Sequence, residues 1–323
     1  MIDRAMKPKL LITRQIFDEV LERLTPHFDI ASNQSDAAWS RAELIERAAD
    51  RDALFVVTSD RVDSDLLAAA PKLRMVATGS VGFNHIDLAA CAARGIRVSN
   101  TPDVLNEATA DMAWALLMAA ARRVCESEHW LRAGQWKRWA FDQFLGADVW
   151  RSTLGIVGMG RIGSAIARRA RGFEMKVLYA NRSPSIHERE VGATRVALET
   201  LLSDADHVVL VVPYSAATHH LIGESELALM KPGATIVNIA RGGVVDDTAL
   251  ARALKAGRPG AAGLDVFENE PAVSPALLAL PNVALTPHIG SATRSSRVGM
   301  AMLAAENLLA FAADKPLPCE VTV

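Results

Sequence analysis

Three segments in the second half of the chain carry side chains that together can act on a carbonyl compound. "NIARGGVVDD" places Arg241 after a strand-like run, "GLDVFENEP" places Asp265 and Glu270 after another, and "LTPHIGSAT" places His288 after a third. An arginine fork can hold a carboxylate and polarise a carbonyl. Histidine donates protons near neutral pH, and a neighbouring carboxylate fixes the orientation of its ring. This combination indicates the reduction of a 2-keto acid.

Each of these residues also has a purely structural interpretation. Arg241, before a Gly-Gly turn, can be an ion-pairing surface residue, and Glu270, before a proline, can belong to a plain turn. A lone histidine is more often structural than catalytic, and we expect the other seven histidines, including His85 and the pair His219–His220, to be structural. The functional interpretation rests on the combination at three successive strand ends, because that edge of a doubly wound sheet binds ligands.

A glycine motif precedes these segments. "GIVGMGRIG" contains Gly158, Gly160 and Gly163 in the spacing GxGxxG, after a buried-strand pattern and before a helical one. In that context the motif predicts a dinucleotide site, with the amides around Arg161 and Ile162 directed at the pyrophosphate. The motif alone is weak, and the alternative is a strand-to-helix turn that binds nothing.

The segment "YANRSP" indicates which dinucleotide is used. NAD sites usually carry Asp or Glu at the end of the second strand, where it bonds the ribose 2′-hydroxyl. Here that position holds Asn181, followed by Arg182 and Ser183. A cation and a hydroxyl suit the 2′-phosphate of NADP. We therefore expect NADPH to be preferred over NADH, the alternative being that Arg182 is a solvated loop residue.

The elements that must position these residues alternate between strand and helix. This alternation predicts an α/β protein with parallel sheets covered by helices on both faces. A first series of strands is predicted at 9–13, 28–30, 53–58, 73–78 and 96–100, with helices at 15–24, 40–49, 63–69 and 85–93. A long helix over 104–123 separates it from a second series, predicted at 153–158, 176–180, 207–212, 235–240, 261–266 and 282–286. A final helix is predicted over 293–312.

Composition excludes several other classes of protein. The 323 residues are half apolar and carry a formal charge of −2, which favours neither nucleic acid nor an anionic membrane as a partner. Cys91, Cys125 and Cys319 are scattered, so we expect reduced thiols in a cytoplasmic protein and no metal site. We also expect no membrane span and no secretory signal, the first five residues being an extension ahead of Met6.

Five ordered motifs carry a resemblance that extends over nearly the whole chain. "TGSVGFNHID" at 78–87, together with the four motifs quoted above, resembles the D-isomer-specific 2-hydroxyacid dehydrogenase family. Within it the chain is most similar to glyoxylate/hydroxypyruvate reductases, including those that also take 2-ketogluconate.

The resemblance implies a role for each site residue. Arg241 binds and polarises the substrate, Glu270 pairs with the imidazole, and His288 donates the proton. The backbone amides of Val81 and Gly82 hold the substrate carboxylate. The expected cofactor contacts beyond the glycine motif and residues 181–183 are Thr109, Pro213, Ala240, Asp265 (to the nicotinamide carboxamide) and Gly290.

The resemblance also implies an architecture of two doubly wound domains. A flavodoxin-like substrate domain is formed by residues 1–102 and 289–323, and a Rossmann cofactor domain, 103–288, is inserted into it. The family is usually dimeric through the cofactor domain. Trp136 and Trp139 are then candidates for the interface, and Trp139 for the border of the partner's active site, although both can equally pack within their own subunit.

The function expected is NADPH-dependent reduction of glyoxylate, hydroxypyruvate and, as a further candidate, 2-ketogluconate. Three alternatives stay open. The first is an NAD-dependent enzyme like phosphoglycerate dehydrogenase, which Asn181 and Arg182 disfavour. The second is a formate dehydrogenase, whose larger insertions are missing. The third is a dinucleotide-sensing protein like the corepressors that share this fold, which the complete set of Arg241, Glu270 and His288 disfavours.

Overall fold

The computed structural model describes residues 7–322, so the predicted extension ahead of Met6 lies outside the described residues. The chain forms two compact units. One contains the described residues up to Leu105 and those from Thr293 onwards, and the other contains Asn106–Ala292. The units thus divide after Leu105 and after Ala292, whereas the sequence predicts boundaries after residues 102 and 288.

The first unit is built on a parallel five-stranded sheet. Its strands are β1 (Lys9–Ile12), β2 (Asp29–Ser32), β3 (Ala53–Val56), β4 (Met75–Thr78) and β5 (Arg97–Ser99), in the order β2-β1-β3-β4-β5. This is the flavodoxin-like order, as predicted. The accompanying helices are Asp18–Leu24, Arg41–Ala48, Ser64–Ala69, Leu88–Ala93 and Arg294–Ala312.

Burial explains why these short apolar runs form strands. All four residues of β3 and of β4 are buried, as expected for a parallel sheet covered on both faces. Alternate residues enter different cores: Leu54 and Val76 pack on one side, and Phe55 and Met75 on the other. Side-chain caps then begin the helices between the strands, such as the capping box formed by Ser40 and Glu43.

The second unit is built on a parallel seven-stranded sheet of the doubly wound type. Its strands are β6 (Thr153–Val157), β7 (Lys176–Ala180), β8 (Thr194–Arg195), β9 (His207–Leu210), β10 (Thr235–Asn238), β11 (Ala261–Leu264) and β12 (Val283–Leu285). The order is β12-β11-β10-β9-β6-β7-β8, so the winding reverses between β6 and β9. A reversal of this kind opens a crevice at the carboxyl ends of the two strands. The helices are Asn106–Ala121, Val124–Arg132, Arg161–Ala170, Glu188–Val191, Leu198–Asp204, Glu224–Leu229, Asp247–Lys255 and Pro275–Leu278.

The structure confirms the α/β fold and corrects some of its elements. The predicted helix over 104–123 is followed at once by a second helix, because Arg123 adopts the left-handed conformation (φ 55°) between them. The short edge strand β8 and the helix Glu188–Val191 were not predicted. Within residues 7–322, no helix is both long enough and apolar enough to cross a bilayer.

Candidate active site

An imidazole and a carboxylate meet beyond the carboxyl ends of β11 and β12. His288 Nδ1 lies 2.6 Å from Glu270 Oε2, and the Phe267 amide donates to Glu270 Oε1 at 3.0 Å. Burial alone would raise the pKa of Glu270, but the hydrogen bonds from His288 and Phe267, with the nearby charge of Arg241, outweigh it and lower that pKa. Glu270 therefore stays ionised and orients the ring, which leaves Nε2 as the atom that can pass a proton to a ligand.

Asp265 holds the turn that carries His288. Its Oδ1 accepts hydrogen bonds from Thr286 Oγ1 at 2.6 Å and from the Ile289 amide at 2.8 Å, and its Oδ2 accepts from the Gly290 amide at 2.7 Å. His288 itself has a φ of 52°, a left-handed conformation that costs a non-glycine residue of order 1–2 kcal/mol. The buried carboxylate of Asp265 thus stabilises a backbone that the imidazole needs and that the residue disfavours. Sequence reasoning expected Asp265 to contact the cofactor and missed this role.

Arg241 extends from the end of β10, the strand next to β11. Its Nη1 donates to its neighbour's carbonyl, Ala240 O, at 2.7 Å, and Asn238 braces the same turn by accepting from the Ala240 amide and donating to Arg241 O. Burial lowers the pKa of the Arg241 guanidinium, and the charge of Glu270 opposes that shift. Since arginine begins from a very high pKa, the group remains a cation near Glu270.

A glycine brings the end of β10 and the Glu270 loop together. A Cβ at Gly242 would overlap the carbonyl group of Phe267 and lie 2.7 Å from Glu268 N. Any side chain at this position would therefore push apart the segment that carries Arg241 and the segment that carries Glu270. The three residues selected from the sequence are thus placed by neighbouring strands and by this close backbone approach.

The glycine motif forms the turn that a dinucleotide requires. Gly158 has a φ of +107°, and a Cβ there would lie 2.8 Å from the carbonyl oxygen of Val211, the residue that follows the neighbouring strand β9. A Cβ at Gly163 would overlap the carbonyl of Gly158, so this glycine lets the helix Arg161–Ala170 begin directly against the turn. A Cβ at Gly160 would meet nothing within 4 Å. That open position before a helix N-terminus fits a pyrophosphate group.

The loop after β7 is tied to the glycine turn. Asn181 Oδ1 accepts from the Met159 amide at 2.8 Å, and Ser185 Oγ donates to Met159 O at 2.6 Å. Arg195, on the edge strand β8, donates from Nη2 to Asn181 O at 2.9 Å and to Arg182 O at 2.8 Å. The loop therefore combines two cations, of which sequence reasoning found only Arg182, because pairing with β7 brings Arg195 from a distant position.

Arg182 and Ser183 are exposed on this loop. Within residues 7–322, no carboxylate lies within ion-pair distance of Arg182. The Asn181 side chain, in contrast, already bonds the glycine turn through its oxygen, so it shapes the loop.

Comparison with known proteins decides the family. Residues 114–290 match the family model for the NAD binding domain of D-isomer specific 2-hydroxyacid dehydrogenases. The chain is 50% identical over 312 residues to glyoxylate reductase from Thermococcus onnurineus, which covers 95% of this chain and 93% of that protein. The chain belongs to the D-isomer specific 2-hydroxyacid dehydrogenase family. This confirms the resemblance seen in the sequence and makes the chain an NAD(P)-dependent oxidoreductase.

The similarity of this dehydrogenase to solved structures extends along nearly the whole chain. An NADPH-dependent glyoxylate/hydroxypyruvate reductase from Sinorhizobium meliloti, in complex with NADP and malonate, is 36% identical with a TM-score of 0.86, covering 98% of this chain and 97% of that one. A glyoxylate reductase from Paecilomyes thermophila is 34% identical with a TM-score of 0.87, covering 98% and 99%.

Five further residues of this dehydrogenase were predicted to contact the cofactor, and three of them, Thr109, Asp265 and Gly290, lie together. Thr109 and Asp265 both lie beside Gly290: a Cβ at Gly290 would be 3.0 Å from Asp265 Oδ2 and 3.7 Å from Thr109 Cγ2. Pro213 follows β9, and its carbonyl accepts from Thr218 Oγ1 at 2.8 Å. Ala240 lies in the turn that carries Arg241. All of them are in the unit that contains the glycine motif.

Val81 and Gly82 belong to the other unit of the dehydrogenase, in the loop after β4. Both of their carbonyl groups are bonded by side chains: Asn100 Nδ2 donates to Val81 O at 2.8 Å, and Ser80 Oγ donates to Gly82 O at 2.7 Å. The loop is therefore fixed within its own unit.

One cluster of the dehydrogenase has the residue types of a metal site. His220, Asp246 and Glu268 offer ligand atoms within 4.8 Å of one another, the one such group among residues 7–322. His220 Nε2 already bonds Glu268 Oε1 at 2.6 Å, and Asp246 already caps a helix by accepting from the Ala249 amide. We interpret the cluster as a hydrogen-bonded group that fixes the loop before Glu270.

Proposed function

We propose that this dehydrogenase reduces glyoxylate and hydroxypyruvate with NADPH, forming glycolate and D-glycerate, and that 2-ketogluconate is a further substrate. The observation that carries the proposal is the contact of 2.6 Å between His288 and Glu270, with Arg241 on the neighbouring strand end. The relatives named glyoxylate reductase support the choice of substrate, since eight of them are 46–50% identical to this chain.

The proposed chemistry assigns one task to each of the three side chains. A bound NADPH supplies hydride to the carbonyl carbon. Arg241 holds the substrate carboxylate and polarises the carbonyl oxygen, which becomes more negative as the reaction proceeds. His288 donates the proton that this oxygen takes up, and Glu270 stabilises the imidazolium before transfer and keeps Nε2 in place. The product is the hydroxy acid, with one hydrogen added at carbon and one at oxygen.

The preference for NADPH is proposed from the loop after β7. Arg182 is exposed and lacks an ion-pair partner among the described residues, and Arg195 adds a second cation held against the same backbone. Ser183 provides a hydroxyl for the 2′-phosphate. The similar enzyme from Sinorhizobium meliloti is described as NADPH-dependent and was solved with NADP, which agrees with this proposal.

We assign cofactor binding to the unit Asn106–Ala292, and substrate carboxylate binding to the amides of Val81 and Gly82 in the other unit. We also propose a homodimer through the cofactor unit. Its surface exposes Trp136 (55%), Trp139 (66%) and Phe141 (87%), large apolar side chains that a partner would cover. Light scattering should give twice the chain mass, and a monomeric mass would refute the dimer. The cytoplasmic location remains a prediction.

A substrate panel with both nicotinamides tests the function. Purified protein is mixed with NADPH or NADH and with glyoxylate, hydroxypyruvate, 2-ketogluconate, 3-phosphohydroxypyruvate and pyruvate, and the absorbance at 340 nm is followed. We expect the highest kcat/KM with glyoxylate or hydroxypyruvate and NADPH. Preference for the phosphorylated substrate with NADH would instead support a phosphoglycerate dehydrogenase, and no turnover with any of them would support a dinucleotide sensor.

A further inference from the structure

The loop after β4 is held through three successive carbonyl groups. The Thr101 amide donates to Ser80 O at 3.0 Å, and Asn100 Nδ2 donates to Val81 O at 2.8 Å. Ser80 Oγ donates to Gly82 O at 2.7 Å. Two of these three donors belong to consecutive residues at the end of β5, the strand next to β4.

Each fixed carbonyl also fixes an amide. In a trans peptide the C=O and the following N–H point in opposite directions within one plane. The bond to Ser80 O therefore sets the direction of the Val81 N–H, and the bond to Val81 O sets that of the Gly82 N–H. Neither N–H has an acceptor among the hydrogen bonds of residues 7–322. Two adjacent amides directed away from the end of β5 form the kind of concavity that binds an anion.

Two linked hydroxyl groups, those of Ser80 and Thr78, hold the third carbonyl, that of Gly82. Gly82 O can only accept, so the Ser80 hydroxyl uses its proton there and must accept from Thr78 Oγ1, which lies 2.8 Å away. The Thr78 proton is then used as well, so Thr78 accepts from His85 Nε2 at 3.1 Å. His85, which sequence reasoning treats as structural, thus carries its proton on Nε2 and belongs to a relay that braces the loop.

We propose that Asn100 is a positioning residue for the substrate: its side-chain amide turns the Val81–Gly82 peptide so that the Gly82 N–H faces the substrate carboxylate. The proposal rests on the reductase function given above. Asn100 is the informative position because its donor belongs to a side chain, whereas the Thr101 donor is backbone and survives any substitution. The fold of the loop is additionally supported by the Ser80 relay.

Two substitutions test this. Asn100→Asp replaces the donor by an oxygen that repels Val81 O, and Asn100→Ala removes the donor without adding charge. We expect both to raise the KM for glyoxylate about 10- to 100-fold, the range for losing one hydrogen bond to a charged group. The kcat should change far less, and the KM for NADPH should not change. A KM that rises only in Asn100→Asp would indicate charge repulsion alone and would overturn the proposal.

Asn33→Asp is the matched control. The Asn33 side chain also donates to backbone carbonyls of the same unit, Thr13 O at 3.0 Å and Ala37 O at 2.8 Å. We expect Asn33→Asp to lose thermal stability and active enzyme at an unchanged KM for glyoxylate. If Asn100 were merely structural, Asn100→Asp would behave in the same way. That outcome also overturns the proposal.

Binding of oxamate separates this proposal from the proposed function. Oxamate has a carboxylate beside an unreactive carbonyl, and its binding is followed as the rise in Tm with saturating NADPH. If wild-type protein fails to reduce glyoxylate but is stabilised by oxamate, and Asn100→Ala loses that rise, the function is wrong and the positioning role stands. An equal rise in both proteins, or none in wild type, overturns the positioning role.

Discussion

Gly242→Ala should move Arg241 away from Glu270, two of the three residues proposed to act in catalysis. The new Cβ would overlap the Phe267 carbonyl and lie 2.7 Å from Glu268 N, whereas real Cβ atoms stay beyond 3.0 Å from such neighbours. Both obstacles are backbone atoms, so the overlap is relieved only if the Arg241 segment and the Glu270 loop move apart, by about 1 Å. A displacement of that size typically lowers the rate of an enzyme about 100-fold.

The assay is kcat/KM for glyoxylate with NADPH, with cofactor binding measured separately by the change in nicotinamide fluorescence. The glycine turn lies elsewhere in the unit, so NADPH should bind nearly as in wild type. Gly233→Ala serves as the control, because a Cβ there meets nothing within 4 Å and the residue lies just before β10, the strand that Gly242 follows. If Gly242→Ala retained activity within about threefold of this control, the close approach would not position the site.

Three further predictions concern single charges. Arg182→Ala should raise the KM for NADPH about tenfold and leave the KM for NADH unchanged, because only NADPH carries the 2′-phosphate that Arg182 would bind; equal effects on the two KM values would refute the role. Glu270→Gln should lower kcat/KM for glyoxylate about tenfold or more, since the partly exposed pair with His288 loses the carboxylate charge but keeps its shape; an unchanged rate would refute this role. Burial, with the charges of Glu268 and Asp246, raises the pKa of Asp247 to about 6, so its contribution to stability is lost as pH rises through that value. Asp247→Asn should therefore raise the Tm at pH 8 and have little effect below pH 4, and a lower Tm at pH 8 would contradict this.

The sequence was sufficient for the fold because the strands are short apolar runs separated by helical patterns. Parallel strands buried on both faces, such as β3 and β4, produce that signal directly. The proposed catalytic residues were equally accessible: Arg241, Glu270 and His288 follow successive strands, and the carboxyl ends of parallel strands share one edge.

Features that depend on tertiary contact were not accessible. Nothing in the sequence around Arg195 connects it to the loop at Arg182, because only strand pairing joins them. Asp265 stands at a strand end like a ligand-binding residue, yet it bonds the turn that carries His288. Arg123 ends a helix in the left-handed conformation although its neighbours continue the helical pattern.

Turnover by His288→Ala tests most directly whether the imidazole supplies the proton. Single-turnover oxidation of NADPH by glyoxylate is compared between variant and wild type, together with NADPH affinity. We expect the rate to fall at least about 100-fold, the usual contribution of a general acid, with NADPH affinity nearly unchanged. A rate within about tenfold of wild type would contradict the assignment of His288 as the proton donor.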